Sequence, residues 1–279
     1  MSDIAPALLE SIQTDVIQGI EKSAKVKSVL ALIESGKATH KDSLLYAREL
    51  GEILAGAFKV HLSSAVLPDG KMYYNIAKRI LDPTLKTNHD IISGVAEQVQ
   101  TILNEQAGIG LKAIRPALEK SRIDGFIERL TSEPLFDDVA WILQEPIVAF
   151  SEHVVDEVVR ANVDFQGESG LSVKVSRTVD SDPCKWCREI AGEYTFPNIP
   201  DDVYRRHDRC HCIVTYNSKR IHSGGDKRIY TRGKVSGKYQ LTQEERIRRL
   251  KEREKTAEER AKAARQKRIE TWAKKRGEI

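Results

Sequence analysis

The side chains best suited to chemistry lie between positions 184 and 212. All four cysteines of this 279-residue chain are there, arranged as C-x-x-C and C-x-C, and two histidines accompany the second pair. The six side chains are Cys184, Cys187, His207, Cys210, His211 and Cys212. Thiolates and imidazoles are the ligands that Zn²⁺ prefers, about four of them in a tetrahedron. The pattern therefore predicts a structural metal site with zinc as its cofactor.

The choice of ligands stays open at the level of sequence. Five side chains are the predicted metal ligands: Cys184, Cys187, His207, Cys210 and Cys212. The preferred set of four is Cys184, Cys187, His207 and Cys212, and Cys210 is the main rival. Cysteines one residue apart on an extended segment point to opposite faces, so binding of one ion by both is less natural. His211 is a sixth candidate. Buried reduced thiols without metal, a disulfide outside the cell and a catalytic metal are the alternatives.

One enzymatic alternative is tested by its motif. Pro183-Cys184-x-x-Cys187 matches the second half of the zinc deaminase signature, whose first half is H-x-E. Upstream, His153 and Glu157 are four residues apart instead of two, and we interpret them as a solvated helix face. The phosphate-binding and nucleophile-elbow motifs do not occur in the sequence. The sequence thus predicts a protein that is not an enzyme, and a metal-dependent enzyme or effector acting on nucleic acid is the alternative.

Residues 1–165 have the pattern of a helical body. Apolar residues recur at helical spacing in LLYARELGEILAGAFKVHL and in HDIISGVAEQVQTILNE. Helix breakers divide this region at Ser35-Gly36, Pro68-Asp69-Gly70, Asp82-Pro83 and Gly108-Ile109-Gly110. Pro146 should kink or restart a helix, because proline has no amide proton and clashes with the preceding turn. The predicted fold class is mainly α, with a small α+β Cys/His module and a long charged C-terminal helix.

Residues 166–216 are predicted to form the Cys/His module. LSVKVSRTV alternates in polarity and is rich in β-branched residues, which predicts a strand, and CIVTY at 212–216 predicts a second one. Prolines between these strands favour loop over helix. A unit of this size buries too little apolar surface to fold alone, which favours a metal cross-link. Arg205, Arg206 and Arg209 either extend a basic surface or pair with the aspartates near them in sequence.

Residues 217–279 are the basic part of the chain. They contain 21 Lys+Arg and 9 Asp+Glu, a balance of +12, whereas residues 1–216 have a balance of −8. Residues 217–240 are Gly-rich and lack a period, which predicts a flexible basic linker. Residues 241–279 predict a charged helix, because Thr242-x-x-Glu245 is a capping box and Glu, Lys, Arg and Ala favour helix.

The charge of this tail predicts contact with double-stranded DNA. Lys and Arg contacts to phosphates release counterions, so such binding weakens steeply with salt. The predicted contacts are Arg246, Arg248, Arg249, Lys251, Arg253, Arg260, Lys262, Arg265, Lys267, Arg268, Lys274, Lys275 and Arg276. The alternatives are a solvated helix with Glu–Lys and Glu–Arg pairs four residues apart, and a helix that docks on a partner.

The first residues, MSDIAPALLESIQ, have neither the basic nor the apolar region of a signal peptide. Apolar runs stay well short of the roughly 20 residues that a membrane-spanning helix needs. We therefore expect a protein made in the reducing cytosol, without membrane association. In that compartment clustered cysteines hold metal more often than they form disulfides.

The cysteine block as a whole, CKWCREIAGEYTFPNIPDDVYRRHDRCHCIV, resembles the core of phage head-morphogenesis proteins, the MuF-like minor capsid proteins named after phage Mu. Their signature is a C-x-x-C, a short segment with a glycine and an aromatic residue, and an H-x-x-C-x-C. Here Ala191-Gly192-Glu193-Tyr194 supplies the middle segment and His207 begins the last one. The likeness covers residues 130–220 closely and the helical N-terminal part more loosely.

What the resemblance implies is a minor head protein of a bacteriophage. Such proteins associate with the portal protein and with the major capsid or scaffold protein during assembly in the host cytoplasm, and remain in the virion head interior. Some bind DNA and are ejected with it. Some longer relatives carry a C-terminal toxin or ADP-ribosyltransferase domain, but only 63 residues follow Tyr216 here, too few for a fused enzyme. A zinc-ribbon DNA-binding regulator is a further alternative, although the sequence has no recognition-helix motif.

Overall fold

A computed structural model describes residues 3–179, 183–207 and 210–220 of the chain. Its helices are α1 (Ala5–Lys22), α2 (Ala24–Glu34), α3 (His40–His61), α4 (Tyr74–Gln106), α5 (Lys120–Leu130), α6 (Glu145–Glu168) and α7 (Lys185–Glu189). Its strands are β1 (Leu171–Thr178), β2 (Gly192–Thr195) and β3 (Ile213–Arg220). The fold is mainly helical with a small antiparallel sheet and a Cys/His cluster, which confirms this part of the predicted fold class.

The predicted charged helix at 241–279 and the thirteen predicted DNA contacts lie outside the described residues. The predicted linker lies outside them too, except for its first four residues. Those residues, 217–220, belong to β3, which pairs with β1 as far as Arg220. Within the described ranges, no helix has the length and apolar character needed to cross a bilayer.

Helices α3 and α6 pack side by side at the centre of the helical body. Their close approach depends on Gly51, where an added Cβ would lie only 2.8 Å from the Cα of Val148. Helix α3 begins at a capping box, in which the backbone N–H of Thr39 donates to Asp42 Oδ2 at 2.8 Å. Around this pair the apolar faces of α1, α4 and α5 close the main core, whose fully buried members include Ile12, Ile80, Leu81, Leu85, Ile127, Leu130 and Ile147.

The predicted helix break at Asp82-Pro83 is wrong. Helix α4 runs through it without interruption, from Tyr74 to Gln106. Proline removes one backbone hydrogen bond there, but the helix buries Ile80, Leu81 and Leu85 on the same side. Burial of side chains of this size contributes about 1.5–3 kcal/mol each, which offsets the local cost of the proline.

The other predicted breaks are confirmed. Helix α2 ends at Glu34, just before Ser35-Gly36, and α4 ends at Gln106, just before Gly108. The region before Pro146 was expected to be helical, and it consists instead of two short 3₁₀ turns, Phe136–Asp138 and Ala140–Leu143. Helix α6 then starts at Glu145, so that Pro146 lies in the first turn, where no amide proton is needed.

The sheet has the order β2-β1-β3, with both pairs antiparallel. Strand β1 was predicted from its alternation, and its inward residues Val173, Val175 and Arg177 are all buried. Val173 and Val175 pack against Val159 and Val163 of α6. The chain from Met1 to His222 forms one compact unit, so α6 links the predicted helical body to the Cys/His module without a boundary in packing.

Candidate metal centre

The C-x-x-C pair is positioned by the short helix α7. Cys184 is its N-cap residue, and the backbone N–H of Cys187 donates to the Cys184 sulfur at 3.3 Å. A side chain that caps a helix in this way turns back over the first turn, which brings the two sulfurs to one side. Cys184 is exposed and Cys187 is buried, so the pair spans the edge of the module.

The second half of the centre comes from the segment that leads into β3. The Nε2 atom of His207 lies 3.2 Å from the Cys184 sulfur and 3.1 Å from the Cys187 sulfur. The sulfurs of Cys187 and Cys210 are 3.7 Å apart. This segment therefore folds back onto the C-x-x-C turn, as the spacing predicts.

All five predicted ligands meet in two overlapping groups. One group is Cys184, Cys187 and His207, and the other is Cys187, Cys210 and Cys212; the donor atoms in each lie within 4.8 Å of one another. Cys187 belongs to both groups. His211, the sixth candidate, belongs to neither.

These distances fit a tetrahedral zinc site. With Zn–S bonds of about 2.3 Å and Zn–N bonds of about 2.0–2.1 Å, neighbouring ligand atoms should be roughly 3.8 Å apart for two sulfurs and roughly 3.5 Å for sulfur and nitrogen. The Cys187–Cys210 separation of 3.7 Å matches the value for two sulfurs. The His207 Nε2 atom lies 3.1 Å from the Cys187 sulfur, slightly closer than the value for sulfur and nitrogen. The donor set of thiols and one imidazole therefore suits Zn²⁺ in both chemistry and spacing.

The sulfurs differ in their tendency to ionise. The pKa of Cys210 is lowered to about 4, chiefly because the Cys212 thiol donates a hydrogen bond to it; Arg206 and Arg177 act in the same direction and burial acts against them. The same hydrogen bond, together with burial, raises the pKa of Cys212. The Cys187 backbone N–H lowers the pKa of Cys184, whereas burial raises that of Cys187.

A buried guanidinium that was not among the predicted site residues lies against the sulfurs. Arg177 is only 2% exposed, and its Nη2 lies 3.4 Å from the Cys210 sulfur and 4.0 Å from the Cys187 sulfur. Its Nη1 donates to the backbone carbonyls of Val203 and Arg205, at 2.5 and 2.9 Å. Within the described residues it forms no salt bridge with a carboxylate, and its Nε has no hydrogen-bond partner.

Trp186 covers the other side of this guanidinium. The indole ring lies 5.4 Å from the guanidinium carbon of Arg177. It also meets the His207 ring edge to face, with ring centroids 5.6 Å apart. One aromatic side chain of α7 thus fixes the orientation of a candidate ligand and shields the buried cation from water.

A second buried arginine joins the centre to the helical body. Arg206 forms a two-pronged ion pair with Asp156 of α6, and its Nη1 lies 3.3 Å from Glu152 of the same helix. Glu152 in turn accepts from Arg48 of α3 at 2.7 Å. The Arg206 Nη1 also donates to the Cys210 carbonyl at 3.2 Å. We call these four side chains, Arg48, Glu152, Asp156 and Arg206, the ionic network.

Burial dominates the electrostatics of this network. The side chains of Glu152, Asp156 and Arg206 are at most 2% exposed. Burial raises the pKa of Asp156 to about 6 even though Arg206 acts in the opposite direction. The prediction that Arg206 lies on the surface or pairs with a nearby aspartate is wrong. Its neighbour Arg205 does pair locally, with Asp202 at 2.8 Å.

The pair His153 and Glu157 is less solvated than the predicted helix face. The His153 side chain is 16% exposed, and its Nε2 lies 3.4 Å from a Glu157 carboxylate oxygen. The pKa of His153 is lowered to about 3, chiefly by burial and also by the charges of Arg122 and Arg206. The pair belongs to neither metal group, so the deaminase interpretation gains no support from its position.

Comparisons with protein-family models, with curated proteins and with solved structures give no match. The functional interpretation therefore depends on the geometry of the Cys/His cluster and on the motif resemblance of the cysteine block.

Proposed function

We propose that the Cys/His cluster is a structural zinc centre that cross-links α7 to the segment before β3. The observation that supports it best is the convergence of five soft or borderline donors within a few ångströms, beside a buried guanidinium that has no described carboxylate partner. Zinc with three or more thiolates would have a net negative charge, which such a guanidinium requires. In this role the metal holds the fold together and takes no part in a reaction.

Metal content and stability test this centre. We expect about one zinc per chain by elemental mass spectrometry, and a lower melting temperature when a strong chelator removes it. His207→Asn and His211→Asn form a matched pair, because only the first lies in a metal group. We expect His207→Asn to lose zinc and His211→Asn to retain it. A metal-free wild-type protein whose melting is insensitive to chelator would refute the proposal.

We further propose that the protein is a minor head protein of a bacteriophage, without enzymatic activity. The motif resemblance of residues 184–212 supports this role, and the small metal-linked sheet on a helical body suits a protein that docks on larger assemblies. Its partners are then the portal protein and the major capsid or scaffold protein, and its location is the interior of the head.

Assembly assays test this role directly. Co-expression with the portal protein of the same genome should give a complex that survives size-exclusion chromatography, and purified virions should contain the chain. His211→Asn should behave as the wild type does in both assays. Failure to bind the portal protein together with absence from virions would refute the role while leaving the metal centre intact.

The basic tail extends this proposal to packaged DNA. The thirteen basic residues named above would contact phosphates, so binding should be independent of base sequence and should weaken steeply with salt. A chain truncated after His222 keeps the compact unit and removes the tail. We expect the full chain to shift double-stranded DNA in a gel at low salt, and the truncated chain to leave it unshifted; equal shifts would refute a role for the tail.

A further inference from the structure

The charge of Arg177 requires an explanation that the described side chains alone do not supply. Its side chain points inward from β1, next to the apolar Val173 and Val175, and is almost fully buried. Removing an unpaired cation from water costs several kcal/mol, so buried charges are generally paired or lie beside metal centres. The two carbonyls that it contacts are neutral. Among its described hydrogen-bond partners, only the sulfurs of Cys187 and Cys210 can become anionic. The charge of Arg177 also lowers the pKa of Asp156, but that carboxylate is already paired with Arg206.

The neighbouring charges already balance one another. In the ionic network two arginines, Arg48 and Arg206, face two carboxylates, Glu152 and Asp156. That leaves the single positive charge of Arg177 without a partner among the described side chains. A zinc ion with three thiolates and one neutral histidine has a net charge of −1, with two thiolates 0, and with four thiolates −2. Only the three-thiolate centre neutralises Arg177.

We infer that Arg177 is the counter-cation of a metal centre formed by three thiolates and one imidazole, with Cys184, Cys187, His207 and Cys210 as ligands. This inference rests on the proposed zinc centre and adds its ligand set and its outer partner. Arg177 favours Cys210 over Cys212 because its Nη2 lies 3.4 Å from the Cys210 sulfur. Cys212 then stays a neutral thiol beside the Cys210 thiolate.

Removal of this counter-charge should weaken metal binding without removing any ligand. Changes to outer partners of metal sites typically cost 10–100-fold in metal affinity, and we expect a loss in this range for Arg177→Met. Arg177→Lys keeps the charge, although one ammonium cannot reach both carbonyls and both sulfurs, so we expect an intermediate affinity. Lys174→Met is the matched control, because Lys174 is an exposed cation on the same strand.

Competition between the full-length protein and a chromophoric zinc chelator measures these affinities. Lys174→Met should equal the wild type. A second control is Asp208→Asn, which changes the acidic residue that follows His207 in the sequence, and it should also equal the wild type. Arg177→Met with wild-type zinc affinity would overturn the role of Arg177. A loss of zinc affinity for Asp208→Asn as large as that for Arg177→Met would overturn it as well, because a carboxylate could then balance the charge of Arg177.

Cobalt substitution tests the ligand set even if Arg177→Met fails to fold. The thiolate-to-cobalt charge-transfer absorption grows with the number of thiolates bound, so Cys210→Ala should lose about one third of it and Cys212→Ala should retain it. The reverse result would overturn the assignment while leaving the zinc centre in place. A wild-type protein that binds neither zinc nor cobalt would instead refute the metal centre itself.

Discussion

Arg206→Met should be among the most destabilising single changes in the Cys/His module. Among the described residues, Arg206 is the cation that forms an ion pair with Asp156, which is fully buried, and the substitution removes it. It also removes one of the two cations at Glu152 and the hydrogen bond to the Cys210 carbonyl. Breaking a buried ion pair from one side costs about 3–5 kcal/mol, because an uncompensated charge remains. We therefore expect the free energy of unfolding to fall by about that amount at pH 7.5.

Urea denaturation followed by circular dichroism at excess zinc measures this loss. Arg205→Met is the control, because Arg205 is the adjacent residue and its ion pair with Asp202 is exposed. Exposed pairs contribute about 0–1 kcal/mol, so this variant should be nearly as stable as the wild type. The double variant Arg206→Met/Asp156→Leu should be more stable than Arg206→Met alone, since no buried charge is left unpaired. Equal stability of Arg206→Met and Arg205→Met would refute the reasoning.

Two further predictions concern α6. Because the pKa of His153 is about 3, against 6.5 for an ordinary histidine, the unfolded chain binds a proton at mildly acidic pH that the folded chain does not. The contribution of His153 to stability should therefore fall as the pH drops below 6.5, by about 2 kcal/mol at pH 5.0. In denaturation at pH 7.5 and 5.0, the wild type should lose more stability than His153→Asn between the two pH values, by about this amount. Equal losses would contradict the assignment. Gly167→Ala places a Cβ 2.5 Å from the Phe196 ring and should cost about 1–3 kcal/mol. A Cβ at Gly56 of α3 would meet open space, so Gly56→Ala should instead stabilise the protein by about 0.5–1 kcal/mol. Thermal melts in which both variants shift the melting temperature in the same direction would contradict this contrast.

Local signals in the sequence predicted the features that depend on local chemistry. The alternation of LSVKVSRTV predicted β1, and the breaks at Ser35-Gly36 and Gly108 marked helix ends. The C-x-x-C and H-x-x-C-x-C spacings brought together all five predicted ligands. Pro83 shows where a local rule fails, because the buried apolar face of α4 outweighs one missing hydrogen bond.

The outer partners of the metal centre depend on contacts that sequence spacing does not reveal. Arg206 meets Asp156 from fifty positions away, and nothing in either segment indicates the other. Arg177 did leave a signal, because it occupies an inward position in the alternation of β1, after Val173 and Val175. A charged residue at such a position predicts a buried partner, although its identity requires the fold.

Two polar contacts of described residues and the proposed metal attach the segment that carries His207 and Cys210 to the rest of the fold. Arg177 of β1 holds the carbonyls of Val203 and Arg205, and the ionic network holds Arg206 against α6. The proposed metal is only the third attachment. Two of the three exist without metal, so the ligands are already placed when the ion arrives, and little conformational entropy remains to be lost on binding. Removal of zinc should therefore loosen α7 and the ligand segment while α3, α4 and α6 stay folded, in contrast to small zinc modules whose whole fold depends on the metal.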